Sequence, residues 1–145
     1  MAKYKNNLKN EKVEVKNVAI YARKPKFIGE GESIYYQVEE CINYLRSNYE
    51  NFSTMKIDIF AEEGLNKKII GPKLHKMIKG IERREYDFVV CYSFDKFTRD
   101  IKYLVEIKNK LDSYGATFLS IKENFKKKDE AKTIIASAFS EVKKK

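Results

Sequence analysis

A chain of 145 residues, 43% of them apolar, has room for one sizeable core and not for two. No apolar run approaches membrane-spanning length, and the charged opening MAKYKNNLKNEKVEVKN is no secretory signal. A net charge of +9 favours polyanionic partners, nucleic acid first, although 25 of the 30 basic residues are Lys and only 5 are the forked Arg that clamps phosphate best.

Residues 1–16 are polar and without periodicity, which predicts a loose basic tail ahead of one domain over 17–145. Val18 to Tyr21 reads as a buried strand. Ser33 is placed to cap a helix that carries Ile34, Val38, Cys41, Ile42 and Leu45 at helical spacing. Met55 to Phe60 alternates and predicts a second strand, followed by a polar turn at Glu62-Glu63-Gly64. Gly71-Pro72 opens a second helix, with Leu74, Met77, Ile78 and Ile81 as its apolar stripe and His75 on its surface. Asp87 to Tyr92 is a third strand. Asp100 to Tyr114 is a helix with Ile101, Leu104, Val105 and Leu111 inward, stopped by Gly115. Thr117 to Ile121 is a fourth strand. From Asp129 a last helix sets Ala131, Ile135, Ala138, Phe139 and Val142 on one face.

Strands alternating with helices predict an α/β fold: three layers, with a mostly parallel sheet of four or five strands flanked by helices. Continuously apolar strands agree, because such sheets are covered on both faces. Cys41 and Cys91 lie in apolar patterns and form no CxxC, so they read as buried free thiols of a reducing cytoplasm. No Cys/His cluster has metal-ligand spacing.

Sites in open α/β sheets form beyond the carboxyl ends of the strands. Those ends carry Arg23, then Glu62 and Glu63, then Asp95, Lys96 and Arg99. Two arginines and a lysine among acids suggest an anion site suited to phosphate; the same charges could also ring a solvated sheet end. Without GxGxxG or GxxxxGK[ST], a nucleotide cofactor is disfavoured.

Taken in order, the pieces are more specific: YAR at a first strand end, GESIYYQ opening a helix, EEGL, a GPKL helix start, and YDFVVCYSFDKFTRD. From Val18 to Val142 this resembles the catalytic domain of serine recombinases, the resolvase/invertase family. FDKFTRD is similar to the family's L-D-R-L-S/G-R-D, and IIASAFSEV to the start of its long dimerisation helix. The resemblance implies DNA strand exchange without metal or cofactor. A serine after the first strand attacks a phosphate, and arginines stabilise the charge of the transition state.

Position by position, the resemblance makes Arg23 the first active-site arginine and Gln37 the glutamine of the following helix. Asp87 matches an acid at the start of the third strand. Asp95 and Arg99 match the ends of D-R-x-x-R. Three positions depart. The nucleophilic serine falls on Pro25, the arginine of R-P-x-L on Gly71, and the first arginine of D-R-x-x-R on Lys96. Proline has nothing to attack phosphorus with and fixes φ near −65°. Gly71 removes a guanidinium, and Lys96 keeps a charge without a fork.

These departures imply a recombinase-like domain that does not cleave DNA. It is expected to bind DNA weakly and without sequence preference, as a homodimer or paired with an intact recombinase. No helix-turn-helix or zinc module follows, and the last helix, about 17 residues or roughly 25 Å long, reads as a shortened dimerisation helix. Two alternatives stay open. One is a non-enzymatic pairing module or remnant. The other is an active recombinase with a displaced hydroxyl, for which Ser33, Ser93 and Thr98 are the available groups.

Overall fold

The computed structural model describes residues 15–25, 33–65, 71–94 and 101–123. Among the described residues four strands form one sheet in which every pairing is parallel: β1 (Asn17–Pro25), β2 (Lys56–Leu65), β3 (Phe88–Cys91) and β4 (Thr117–Ser120), in the order β2-β1-β3-β4. The crossovers are α1 (Ile34–Asn48), α2 (Pro72–Glu82) and α3 (Ile101–Ser113). A 3-10 turn at Phe52–Thr54, which the sequence pattern does not signal, joins α1 to β2.

Alternation along the strands splits the core in two. Ala19, Tyr21, Phe60, Val89, Cys91 and Phe118 face α2 and α3, meeting Leu74, Met77, Ile81, Leu104, Ile107 and Leu111. Val18, Ile20, Val90 and Leu119 face the other way and are covered by Cys41, Leu45 and Tyr49 of the α1 region. This is the expected three-layer arrangement, a parallel sheet with helices on both faces. Each fully buried aliphatic side chain contributes about 1.5–3 kcal/mol. The two cysteines lie in different core halves, both as buried free thiols.

Helix boundaries follow local chemistry. The Ser33 hydroxyl accepts from the Tyr36 amide at 3.0 Å, so Ser33 is the cap that its position suggests. Pro72 occupies the first turn of α2, where its missing N–H costs no bond. Gly115 takes φ +78° after α3, and the Ala116 amide returns to the Leu111 carbonyl at 2.9 Å.

Two strands run further than the apolar pattern suggests. β1 continues from Tyr21 to Pro25 and β2 from Phe60 to Leu65, because the two pair with each other beyond the reach of β3, whose partner on β1 ends at Tyr21. The register slips between Lys24 and Pro25, so the residue that lacks an N–H falls at an irregularity of the ladder. Pro25 is therefore the last strand residue and not the middle of a loop. The Glu62-Glu63-Gly64 stretch is likewise strand and not turn. The helix expected from Asp129 and all but the last two residues of the tail expected over 1–16 lie outside the described residues. Of those two, Val15 is buried against the α1 side of the sheet, with its carbonyl accepting from Asn51, and so belongs to the core and not to a loose tail. No described helix is long and apolar enough to cross a membrane.

Candidate functional site

The carboxyl edge of the sheet brings together Arg23, Gln37 and Glu62. Arg23, 5% exposed, sits two residues before the end of β1 and opposite Glu62 of β2. Beyond Tyr21 the β1 backbone has lost β3, and a side chain substitutes for the missing strand. Gln37, fully buried on α1, donates from Nε2 to the Arg23 carbonyl at 2.9 Å and accepts from the Arg23 amide at Oε1, at 3.2 Å. One planar amide thus supplies the acceptor and the donor that a neighbouring strand would. Gln37 is a positioning residue for Arg23.

Glu62 is the least expected member. Its inward direction follows Phe60 at period two, a signal that the sequence pattern offers once β2 is carried past Phe60. Its carboxylate accepts from the buried Tyr21 hydroxyl at 2.6 Å and from the Lys73 amide, in the first turn of α2, also at 2.6 Å. Burial first, and then the hydrogen bond to Glu62, push the Tyr21 hydroxyl far above its ordinary pKa, with the Arg23 charge pulling the other way. Glu63, next along the strand, is exposed, so the two glutamates do not form an acid pair.

Gly71 is the N-cap of α2 and is buried. A Cβ built on it would overlap the Glu62 carboxylate. The space ahead of α2, into which a longer side chain at 71 would project, is filled by the chain's own anion. That anion also satisfies a free amide at the positive end of the helix.

The other expected residues divide clearly. Asp87 lies at the opposite, amino edge of the sheet, where its Oδ2 accepts from the Lys16 and Asn17 amides at 2.9 and 3.0 Å. It ties β3 to the start of β1 and is remote from the carboxyl edge. Ser93 follows β3 and is 2% exposed. The Ser120 hydroxyl donates to Glu123. His75 is exposed on α2, as its place between apolar positions suggests. The side chain of Pro25, and Asp95, Lys96, Thr98 and Arg99 altogether, lie outside what is described. Among the described residues no group of His, Cys, Asp or Glu could hold a metal ion.

A parallel α/β sheet of this order, with a buried arginine held at the carboxyl end of its first strand, is the architecture of a serine-recombinase catalytic domain. The chain belongs to the family described as "Resolvase, N terminal domain", which matches residues 18–144. It is 31% identical over 80 residues to the Transposon Tn917 resolvase of Enterococcus faecalis, a match spanning 49% of this chain and 42% of that protein, less than half its length. The fold is similar to the N-terminal catalytic domain of TP901-1 integrase, with TM-score 0.69 and 23% identity, over 89% of this chain and 97% of that one. It is also similar to a resolvase family site-specific recombinase from Streptococcus pneumoniae, with TM-score 0.62 and 19% identity, over 89% and 88% of the two chains.

Proposed function

We propose that the chain is a serine-recombinase catalytic domain without its nucleophile: it does not cleave DNA, and it keeps weak, sequence-independent phosphate binding and dimerisation. In this reading Arg23, Asp95, Lys96 and Arg99 surround the phosphate position, Gln37 holds Arg23, and Pro25 stands where the attacking serine would. The observation that carries it is the filled space at Gly71. Three positions depart from the family pattern, and at this one the vacated volume is taken by a carboxylate with two hydrogen bonds of its own. A site meant to hold a phosphodiester anion gains nothing from a buried carboxylate in a donor's place.

A displaced nucleophile draws no support from the described hydroxyls. Ser33 is engaged as a helix cap, and Ser93 is buried. The buried free thiols Cys41 and Cys91 support placement in a reducing cytoplasm. The test is incubation with duplex and nicked DNA, followed by a denaturing gel. No covalent protein–DNA adduct is expected, and a phosphoserine or phosphothreonine link mapped by mass spectrometry would overturn the reading.

A second reading, a module that pairs with an intact recombinase, draws on the stripe of Ala131, Ile135, Ala138, Phe139 and Val142 in the sequence. Phe139→Asp should convert a dimer to a folded monomer in sedimentation. A wild-type chain that stays monomeric at high concentration would remove this support.

A further inference from the structure

The outer face of α2 bears a charge pattern that neither the core nor the carboxyl-edge site uses. Pro72, Lys76, Lys79 and Arg83 recur at intervals of four, three and four residues and are all exposed, on the side opposite buried Leu74, Met77 and Ile81. With His75 they line an open groove whose head is Gly71. From Lys76 to Arg83 the helix rises about 10 Å. That is about the axial run of three phosphate-to-phosphate steps on one strand of a duplex.

Acids do little to balance this stripe. Glu82 is the single acid within α2, and its contact is with Lys110 of α3 at 2.7 Å, although Lys79 and His75 are close enough to act on it. Glu85 lies 3.9 Å from Arg83, with both side chains at least half exposed, a loose pair of little worth. Like charges at these spacings repel one another and weaken the helix. A polyanion laid along the groove would relieve that repulsion and release its own counterions.

We propose that the α2 stripe, Lys76, Lys79 and Arg83, is a track for the sugar-phosphate backbone of duplex DNA, leading away from the carboxyl-edge site. The proposal rests on the DNA-binding part of the proposed function and gives it a surface. Phosphate contacts of this kind position a duplex without reading its sequence, which suits lysines better than forked base readers.

The test is fluorescence anisotropy of a labelled duplex of about 30 base pairs with the full chain, as a function of salt. Lys76→Gln/Lys79→Gln/Arg83→Gln is compared with Lys16→Gln/Lys56→Gln/Lys102→Gln, which removes as much charge from exposed lysines elsewhere. The stripe variant should bind more weakly, with a log–log salt slope shallower by about 2–3, and the control should change by less than about one. Because all six positions are exposed, both variants should keep the wild-type urea midpoint within error, or exceed it for the stripe variant. Equal losses in the two variants would overturn the track and leave general DNA binding standing. No binding by wild type at low salt would sink both. Loss of binding to anionic vesicles with DNA binding intact would assign the stripe to a membrane surface and overturn the proposal.

Discussion

The Glu62 carboxylate fills the space into which any side chain at residue 71 would project. The relationship joins two elements that are distant in sequence. Glu62 reaches from β2 to the first turn of α2, where it takes the Lys73 amide, and across to β1, where it takes the Tyr21 hydroxyl. Gly71→Ala should therefore displace Glu62 and break at least one of these bonds, at a cost of about 1–3 kcal/mol in urea unfolding. In a Glu62→Ala background the same substitution should cost much less, since the obstruction is gone, and the two effects should fail to add. A neutral Gly71→Ala in the wild-type chain would show that Glu62 moves aside freely.

Gln37 offers a cleaner case of one side chain doing a strand's work. Gln37→Ala leaves the Arg23 N–H and C=O buried without these partners, which predicts a loss of about 2–4 kcal/mol when both are counted. Gln37→Glu should be nearly as harmful. A carboxylate can accept from the Arg23 amide but cannot donate to its carbonyl, and it would be fully buried. Wild-type stability in Gln37→Ala would mean that water replaces the amide and that Arg23 is placed by other contacts.

The sheet, its helices and most of the core were legible in the sequence, because apolar periodicity reports burial directly: Val18 to Tyr21, Leu74 to Ile81 and Leu104 to Leu111 lie where their spacing puts them. The ends of β1 and β2 were not. Past Tyr21 and Phe60 the residues are polar, and only their pairing with each other makes them strand. The burial of Glu62 was not legible for the same reason: placed at the strand end, it reads as part of a polar Glu-Glu-Gly turn until β2 is carried past Phe60 and its parity with that residue is followed. Asp87 stands immediately before β3, at the start of the third strand as expected, and there it holds the Lys16 and Asn17 amides at the amino edge of the sheet.

Tyr21 gives the fold an alkaline limit. Its hydroxyl pKa is raised in the folded state, by burial above all and by the hydrogen bond to Glu62. A group raised in this way favours the folded state fully below its unfolded value, about 10, and loses that contribution as pH climbs above it. Tyr86 is shifted in the same direction by burial and its bond to Asp58. Absorbance at 295 nm should show the exposed tyrosines ionising first, with a late fraction that ionises only as circular dichroism is lost. All ten tyrosines titrating together near pH 10 in a folded chain would contradict this. Tyr21→Phe should flatten the alkaline loss of stability.

Cys41 and Cys91 should resist thiol reagents in the folded chain. Both are fully buried, and burial, aided by Glu40, pushes the Cys41 thiol up to about 12, so the reactive thiolate is scarce at neutral pH. They also lie in core halves on opposite faces of the sheet. Under an aromatic disulfide reagent, both should react at the rate of unfolding, faster in urea, and no intramolecular disulfide should form on oxidation. A thiol that reacts within seconds in buffer would contradict the burial of that residue.

Restoring the nucleophile tests the proposed site most directly. Pro25→Ser supplies a hydroxyl at the end of β1, two residues along the chain from the buried Arg23. It does not supply a guanidinium at 71 or a fork at 96, and each well-placed donor missing from a phosphoryl transition state costs on the order of 10²–10³ in rate. No covalent adduct is therefore expected from wild type or from Pro25→Ser. The triple variant Pro25→Ser/Gly71→Arg/Lys96→Arg should give a trace, at high protein and DNA concentrations. It should also be less stable than Pro25→Ser, because an arginine at 71 has to displace the Glu62 carboxylate and so break at least one of its bonds to Tyr21 and Lys73. Vigorous cleavage by Pro25→Ser alone would show that Gly71 and Lys96 are harmless variations and that the proline by itself silences the domain. An adduct from the triple variant with undiminished stability would show instead that Glu62 yields its place without cost.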